Sequence, residues 1–216
     1  MRSFLSFLIP FVLGTMITGC GSSNANPVVS IEFRSVLIEN GELPIPKGKS
    51  VPVKIVGRDA AGNETDLDLG ALQWKMTDES NTLVEVKPLG NAFLVTGLRD
   101  WFEWPLPNEP SSTVTVSYGT TSATVTARVI VNVTGTWSVS VDDRVSKEIK
   151  LSQQGRGVIL YNGTTAEIKG RIDKVAISLD YQGITLNGSF SSQTSARGAY
   201  TDATGTRGTW SAKKQP

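Results

Sequence analysis

A chain of 216 residues with formal charge +1, 39% hydrophobic and 19% charged residues has the composition of one large or two small globular domains. It holds no histidine and one cysteine, which excludes Ser-His-Asp and Cys-His catalysis, an intramolecular disulfide and a thiolate zinc cluster. The near-neutral charge disfavours a nucleic-acid partner, and nothing in the composition calls for a cofactor or a metal.

The N-terminus begins with Arg2, continues through the apolar stretch Phe4 to Ile17, and reaches Thr18-Gly19-Cys20. One positive charge, a short apolar segment and small residues make a secretory signal. The apolar stretch contains Pro10 and Gly14 and falls short of the ~20 residues a spanning helix needs. Ile17-Thr18-Gly19-Cys20 resembles the lipobox of bacterial lipoproteins. The resemblance implies that residues 1–19 are a cleaved signal peptide and that Cys20 carries diacylglycerol and an acylated amine. Each buried CH₂ of such chains contributes ~0.8 kcal/mol, so several chains anchor stably to a membrane. Gly21, in place of an aspartate, resembles the pattern sorted to the outer membrane. Residues 20–27 form a short polar tether.

From residue 28 the apolar residues alternate or form short runs, with no helical stripe. Strands are expected at Val28–Phe33, Val51–Arg58, Ala71–Met76, Leu83–Pro88, Ala92–Thr96, Ser112–Tyr118 and Ser122–Val133. Asp59-Ala-Ala-Gly62-Asn63 and Pro88-Leu-Gly90-Asn91 mark turns between them. Seven short strands over residues 28–132 predict an immunoglobulin-like sandwich. Several features, in this order, resemble the bacterial immunoglobulin-like group 2 domain: Pro46-Lys-Gly48, the Val56 to Asn63 hairpin, Leu72-Gln-Trp74, Val95-Thr-Gly97-Leu98, and the strand pair Val114–Tyr118 and Ala123–Ala127. In such a sandwich Trp74 is expected as a core residue between the sheets.

The segment Arg99 to Pro110 is an addition to that pattern. Trp101, Phe102 and Trp104 sit among three prolines that prevent a regular strand. Its rings either pack on the protein's own surface or form a contact for a partner or glycan, with packing the better expectation.

Residues 133–216 read as a second unit. Gly135-Thr-Trp137-Ser138 recurs as Gly208-Thr-Trp210-Ser211, and between them lie strand patterns at Glu148–Gln153, Gly157–Tyr161, Ala166–Ile172, Val175–Tyr181, Ile184–Phe190 and Ala196–Thr201. Eight short strands predict an up-and-down barrel whose closure brings the two Gly-Thr-Trp strands together. The pattern resembles small lipocalin-like barrel domains of bacterial lipoproteins. Strands this short predict a filled interior rather than a ligand cup. Residues 20–132 carry 9 basic and 13 acidic side chains and residues 133–216 carry 11 and 7; the opposite signs either favour packing of the two halves, by a small amount after screening, or are solvated surface charge with no such role.

Three local patterns mimic chemistry. Ser211-Ala-Lys-Lys214 fits Ser-x-x-Lys but lies at the C-terminal end. Asp100 and Glu103 flank Trp101 as a glycosidase pair would flank a sugar-stacking ring, on a loop with no strand beneath it. Asp59, Asn63, Glu64, Asp66 and Asp68 lack the spacing of a calcium loop. The expectation is therefore an all-β, non-enzymatic lipoprotein of the bacterial cell envelope. It would be held to the membrane by lipid and contact an envelope protein or polysaccharide through Trp101, Phe102 and Trp104. A small-ligand carrier using the C-terminal barrel is the alternative.

Overall fold

The computed structural model describes residues 27–77, 82–89, 92–103, 110–142, 147–162, 165–181 and 183–216; the expected signal peptide, Cys20 and Trp104 lie outside these residues. Among the described residues the chain is strand throughout, apart from turns and one 3-10 turn at Leu69–Ala71.

Nine strands build the sandwich: β1 Ser30–Arg34, β2 Glu42–Pro46, β3 Ser50–Arg58, β4 Glu64–Thr65, β5 Gln73–Met76, β6 Val84–Leu89, β7 Ala92–Gly97, β8 Ser111–Tyr118 and β9 Thr121–Ile130. One sheet runs β1-β3-β7-β6 with β4 on β3, and the other runs β2-β9-β8-β5. This is the strand order of an immunoglobulin-like sandwich, its first strand divided between the sheets. Alternation explains the inner faces: Val114 and Val116 of β8 and Phe93 and Val95 of β7 are buried, while their neighbours along each strand are not. Trp74 on β5 reaches across to the other sheet, its ring 4.4 Å from Phe93 and 6.1 Å from Phe33.

Two strands have no sequence forecast, the two-residue β4 and the longer β2, which contains Pro44 and Pro46. β2 lies at the sheet edge and pairs only with β9, in parallel. Proline is tolerated there because one side of the strand needs no ladder donor. Its four residues Leu43 to Pro46 are all buried. At the forecast Ala71–Met76, Ala71 closes the 3-10 turn and the strand begins at Gln73.

The second unit is a closed barrel of β10 Gly135–Val141, β11 Lys147–Gln154, β12 Gly157–Asn162, β13 Thr165–Asp173, β14 Ala176–Tyr181, β15 Ile184–Ser192, β16 Ser195–Asp202 and β17 Arg207–Lys214. Closure pairs β10 with β17, setting Trp137 opposite Lys214 and Val141 opposite Trp210. The pairing is antiparallel, so the repeated Gly-Thr-Trp segments place their tryptophans toward opposite ends of the barrel.

Side chains occupy the interior: Trp137, Ile149, Leu151, Leu186, Phe190 and Trp210 belong to one buried cluster. The Trp210 indole fits because Gly188 and Gly198 face each other directly on β15 and β16. A Cβ on Gly188 would lie 2.6 Å from the indole, and one on Gly198 would lie 2.0 Å from the Asn187 carbonyl. With no side chains there, the indole N–H donates to the carbonyls of Asn187 (3.1 Å) and Ala199 (3.0 Å), so the buried polar group is satisfied. Outward positions such as Ser178, Asp180, Asn187, Arg197, Thr209 and Lys213 are exposed. That outer face is polar, where a membrane-spanning barrel presents an apolar band.

Gly198→Ala should therefore destabilise the barrel by about 1–3 kcal/mol, the usual cost of overpacking. Urea unfolding followed by tryptophan fluorescence measures it; an unchanged midpoint would show that the Gly188–Gly198 approach is not needed.

Candidate functional site

The described side chains that gather charge, burial and aromatic rings lie where the sandwich meets the barrel. Glu42, on β2, is bound by Arg128 of the neighbouring strand β9 and by Arg156 from the β11–β12 turn of the barrel. Arg156 is 6% exposed and also bonds Asp173. Arg171 on β13 pairs with Glu39 of the sandwich. Hydrogen bonds from Arg128, with a smaller contribution from Arg156, hold the Glu42 carboxyl below its ordinary range despite partial burial. The Arg156 guanidinium is nearly covered, so leaving it without a carboxylate is costly and its pairs hold the seam in register, whereas the exposed Arg171–Glu39 pair adds little. The opposite net charges of the two halves are expressed in these pairs.

The segment joining the units is tied into both. Asn132 donates to the Lys47 carbonyl (2.8 Å), Val133 N–H donates to Gln153 (2.9 Å), and the Trp137 indole donates to the Val133 carbonyl (2.7 Å). Lys214 donates to the Asn132 carbonyl at 3.2 Å; burial, aided by the charge of Lys49, pulls its pKa down. Val131 and Val133 are fully buried in the barrel's core cluster.

The aromatic loop closes the same seam. Phe102 packs on the barrel core. Asp100 is 1% exposed, and its Oδ1 accepts from the Phe102 N–H (3.1 Å) and from Gln193 of the barrel (3.3 Å). Its Oδ2 is buried with no hydrogen-bond partner among the described residues. Burial raises the Asp100 pKa, only partly opposed by Gln193 and the Phe102 N–H. Burial also pushes on Glu103, but hydrogen bonds from Lys47 and Gln193 outweigh it and leave that carboxyl lowered. Trp101 is 36% exposed beside a cavity of about 10 Å³ that it shares with Pro110, Arg128, Ile130 and Lys174, room for one water at most. Of the three rings singled out from the sequence, Phe102 is thus a packing residue of the seam. Trp101 sits at its rim, and Trp104 lies outside the described residues.

Two of the patterns that mimicked chemistry are dispersed. Ser211 points outward and Lys214 inward, as three positions along a strand require. Asp59 spends its carboxylate on the N–H groups of Ala61 and Asn63 and on the Asn63 side chain. Glu64 pairs with Arg34, and Asp68 caps the 3-10 turn through the Gly70 N–H. Asp100 and Glu103 stay close and share Gln193, but Asp100 is buried in the seam and Glu103 is ion-paired to Lys47. Sequence reasoning did not single out Glu39, Glu42, Arg156 or Arg171; the opposed charges of the halves were the available signal.

No family model matches the chain, and no curated protein matches it. Among solved structures it is similar to domains 5–6 of the S-layer protein SbsC, at 18% identity and a TM-score of 0.32, covering 85% of this chain and 84% of that one. A superposition this loose transfers no role.

The seam gives two tests. Phe102→Ala should cost about 2–3 kcal/mol, near the lower end for a buried ring because Phe102 is only partly covered, whereas Trp101→Ala should cost less than about 1 kcal/mol. Equal effects in thermal unfolding would reverse the assignment of packing and rim residues. Asp100 binds its proton more tightly in the folded state, so its contribution is fully present below the ordinary carboxylate range and is lost as pH rises through the raised value. Relative to Asp100→Asn, the wild-type chain should lose stability as pH rises from the ordinary carboxylate range through the raised value of Asp100. Parallel stability curves for the two proteins would show that the carboxyl is not neutral in the seam.

Proposed function

We propose that this chain is a lipid-anchored bacterial envelope protein whose sandwich and barrel together form a non-enzymatic contact or structural module. In this reading the sandwich is a relative of the bacterial immunoglobulin-like group 2 domain, and Cys20 is the anchored residue on the outer membrane. One observation carries the choice of a contact module: the described interior side chains of the barrel form one buried cluster, which includes Val131 and Val133 of the joining segment and against which Phe102 of the sandwich packs. A carrier needs an enclosed site of some hundreds of Å³ lined by apolar groups. This interior spends its apolar residues on one another. The paired and hydrogen-bonded seam supports a stiff two-unit body displayed from a short tether, suited to contact rather than to engulfing a ligand.

The anchor is tested by Cys20→Ala, which should move the protein from washed membranes to the soluble fraction with loss of acyl mass. A variant that stays membrane-bound with its mass otherwise unchanged overturns the lipoprotein reading. The module is tested by mass spectrometry of material released on denaturing the purified protein. A stoichiometric small molecule would restore the carrier in its place.

A further inference from the structure

We propose that the outer face of β15, β16 and β17 is a binding site for an anionic polysaccharide, with Arg197 at its centre. This rests on the contact-module reading and gives it a class of partner. A groove of about 430 Å³ lies on this face, lined by Ser189, Arg197, Gly198, Thr209, Trp210 and Ser211. Strand register explains its composition. Arg197 stands directly between Ser189 on β15 and Ser211 on β17, and Ser211 is followed by Ser140 on β10. One long cationic side chain therefore rises from a row of small hydroxyls, with the side-chain-free Gly198 in the floor.

Arg197, Arg207 and Lys213 are exposed on outward positions of β16 and β17, and none has an ion-pair partner among the described residues. Two nearby carboxylates accept from neutral donors rather than from these cations, and the exposed Glu148 stands beyond Ser138 in the row of Lys213. Asp142 accepts from Tyr200 (2.7 Å) and from the Thr209 N–H (3.0 Å), while Asp202 accepts from Thr204 and Thr206 within its own turn. The barrel cations of the seam, Arg156 and Arg171, are paired, whereas Arg197, Arg207 and Lys213 share one outer face.

That chemistry selects a ligand class. A guanidinium offers paired donors to a carboxylate or phosphate, and flanking hydroxyls exchange hydrogen bonds with sugar hydroxyls. Trp210 is 5% exposed, so the groove offers no ring on which bases could stack, as single-stranded nucleic acid requires. Spaced cations along adjacent strands suit a polymer with repeating negative charge.

The test uses the chain with Cys20→Ala, free of acyl groups, on immobilised polygalacturonate with neutral dextran as control. Retention should exceed that on dextran, fall with salt, and weaken about tenfold when Arg197→Gln and Lys213→Gln are combined, since charge-assisted hydrogen bonds dominate such contacts. Lys75→Gln, at an exposed lysine on the sandwich, should bind as the parent does, and all variants should melt together. Retention no better than on dextran, or a charge variant that binds like Lys75→Gln, overturns the proposal. So does stronger competition by single-stranded DNA or phosphatidylglycerol vesicles than by soluble polygalacturonate. Co-sedimentation of the acyl-free chain with isolated envelopes separates the two ideas: if it persists while the polymer assay fails, the contact module stands and this site falls. If both fail, the module falls too.

Discussion

The arrangement of this molecule depends on the carboxylate of Glu42. It sits on the edge strand β2, accepts from Arg128 beside it, and accepts from Arg156 across the seam. Charge pairs on an open surface contribute little. Arg156 is nearly covered, however, and its guanidinium is shared between Glu42 and Asp173. Such a cation cannot be abandoned without a desolvation penalty. The barrel is therefore oriented on the sandwich by partners that must be kept, and the apolar contacts of Phe102, Val131 and Val133 supply burial beneath them.

Much of the fold is legible in the sequence because each barrel strand alternates between a packed interior and a polar exterior, and Gly, Asn and Asp punctuate the turns. All eight barrel strands lie where that alternation puts them. β2 was hidden because Pro44 and Pro46 disqualify a strand unless it is known to lie at an edge, and edge position is a tertiary fact. The seam was hidden for a related reason. Glu42 and Arg156 are far apart in the chain, and no local pattern marks either as the other's partner; only the opposed charges of the halves pointed toward contact. The aromatic loop stood out as an addition, but the composition could not say that Phe102 would turn inward while Trp101 stays at the rim.

The repeated Gly-Thr-Trp has a physical meaning beyond closure. Each tryptophan brings a large apolar ring and one N–H that must be satisfied when buried. Trp137 meets that demand at the seam through the Val133 carbonyl, and Trp210 meets it within the barrel through Asn187 and Ala199. The first bond ties the barrel core to the connecting segment. The second requires the backbone approach that Gly188 and Gly198 allow, and Gly198 also lines the groove on the outer face.

Two carboxylates at the seam respond to pH in opposite senses. The contribution of Glu42 is present above the ordinary carboxylate range and is lost as pH falls through its depressed value, because its partners favour the charged form. That of Asp100 is present at low pH and is lost as pH rises, because burial favours the neutral form. The two responses fall on opposite sides of the ordinary carboxylate range. Acidification first relieves the buried acid, as pH falls through the raised value of Asp100, and only further down weakens the ion pairs of Glu42. With no histidine in the chain, no imidazole adds a third step between them. The seam is therefore most stable near the ordinary carboxylate range, where Asp100 is relieved and Glu42 is still paired.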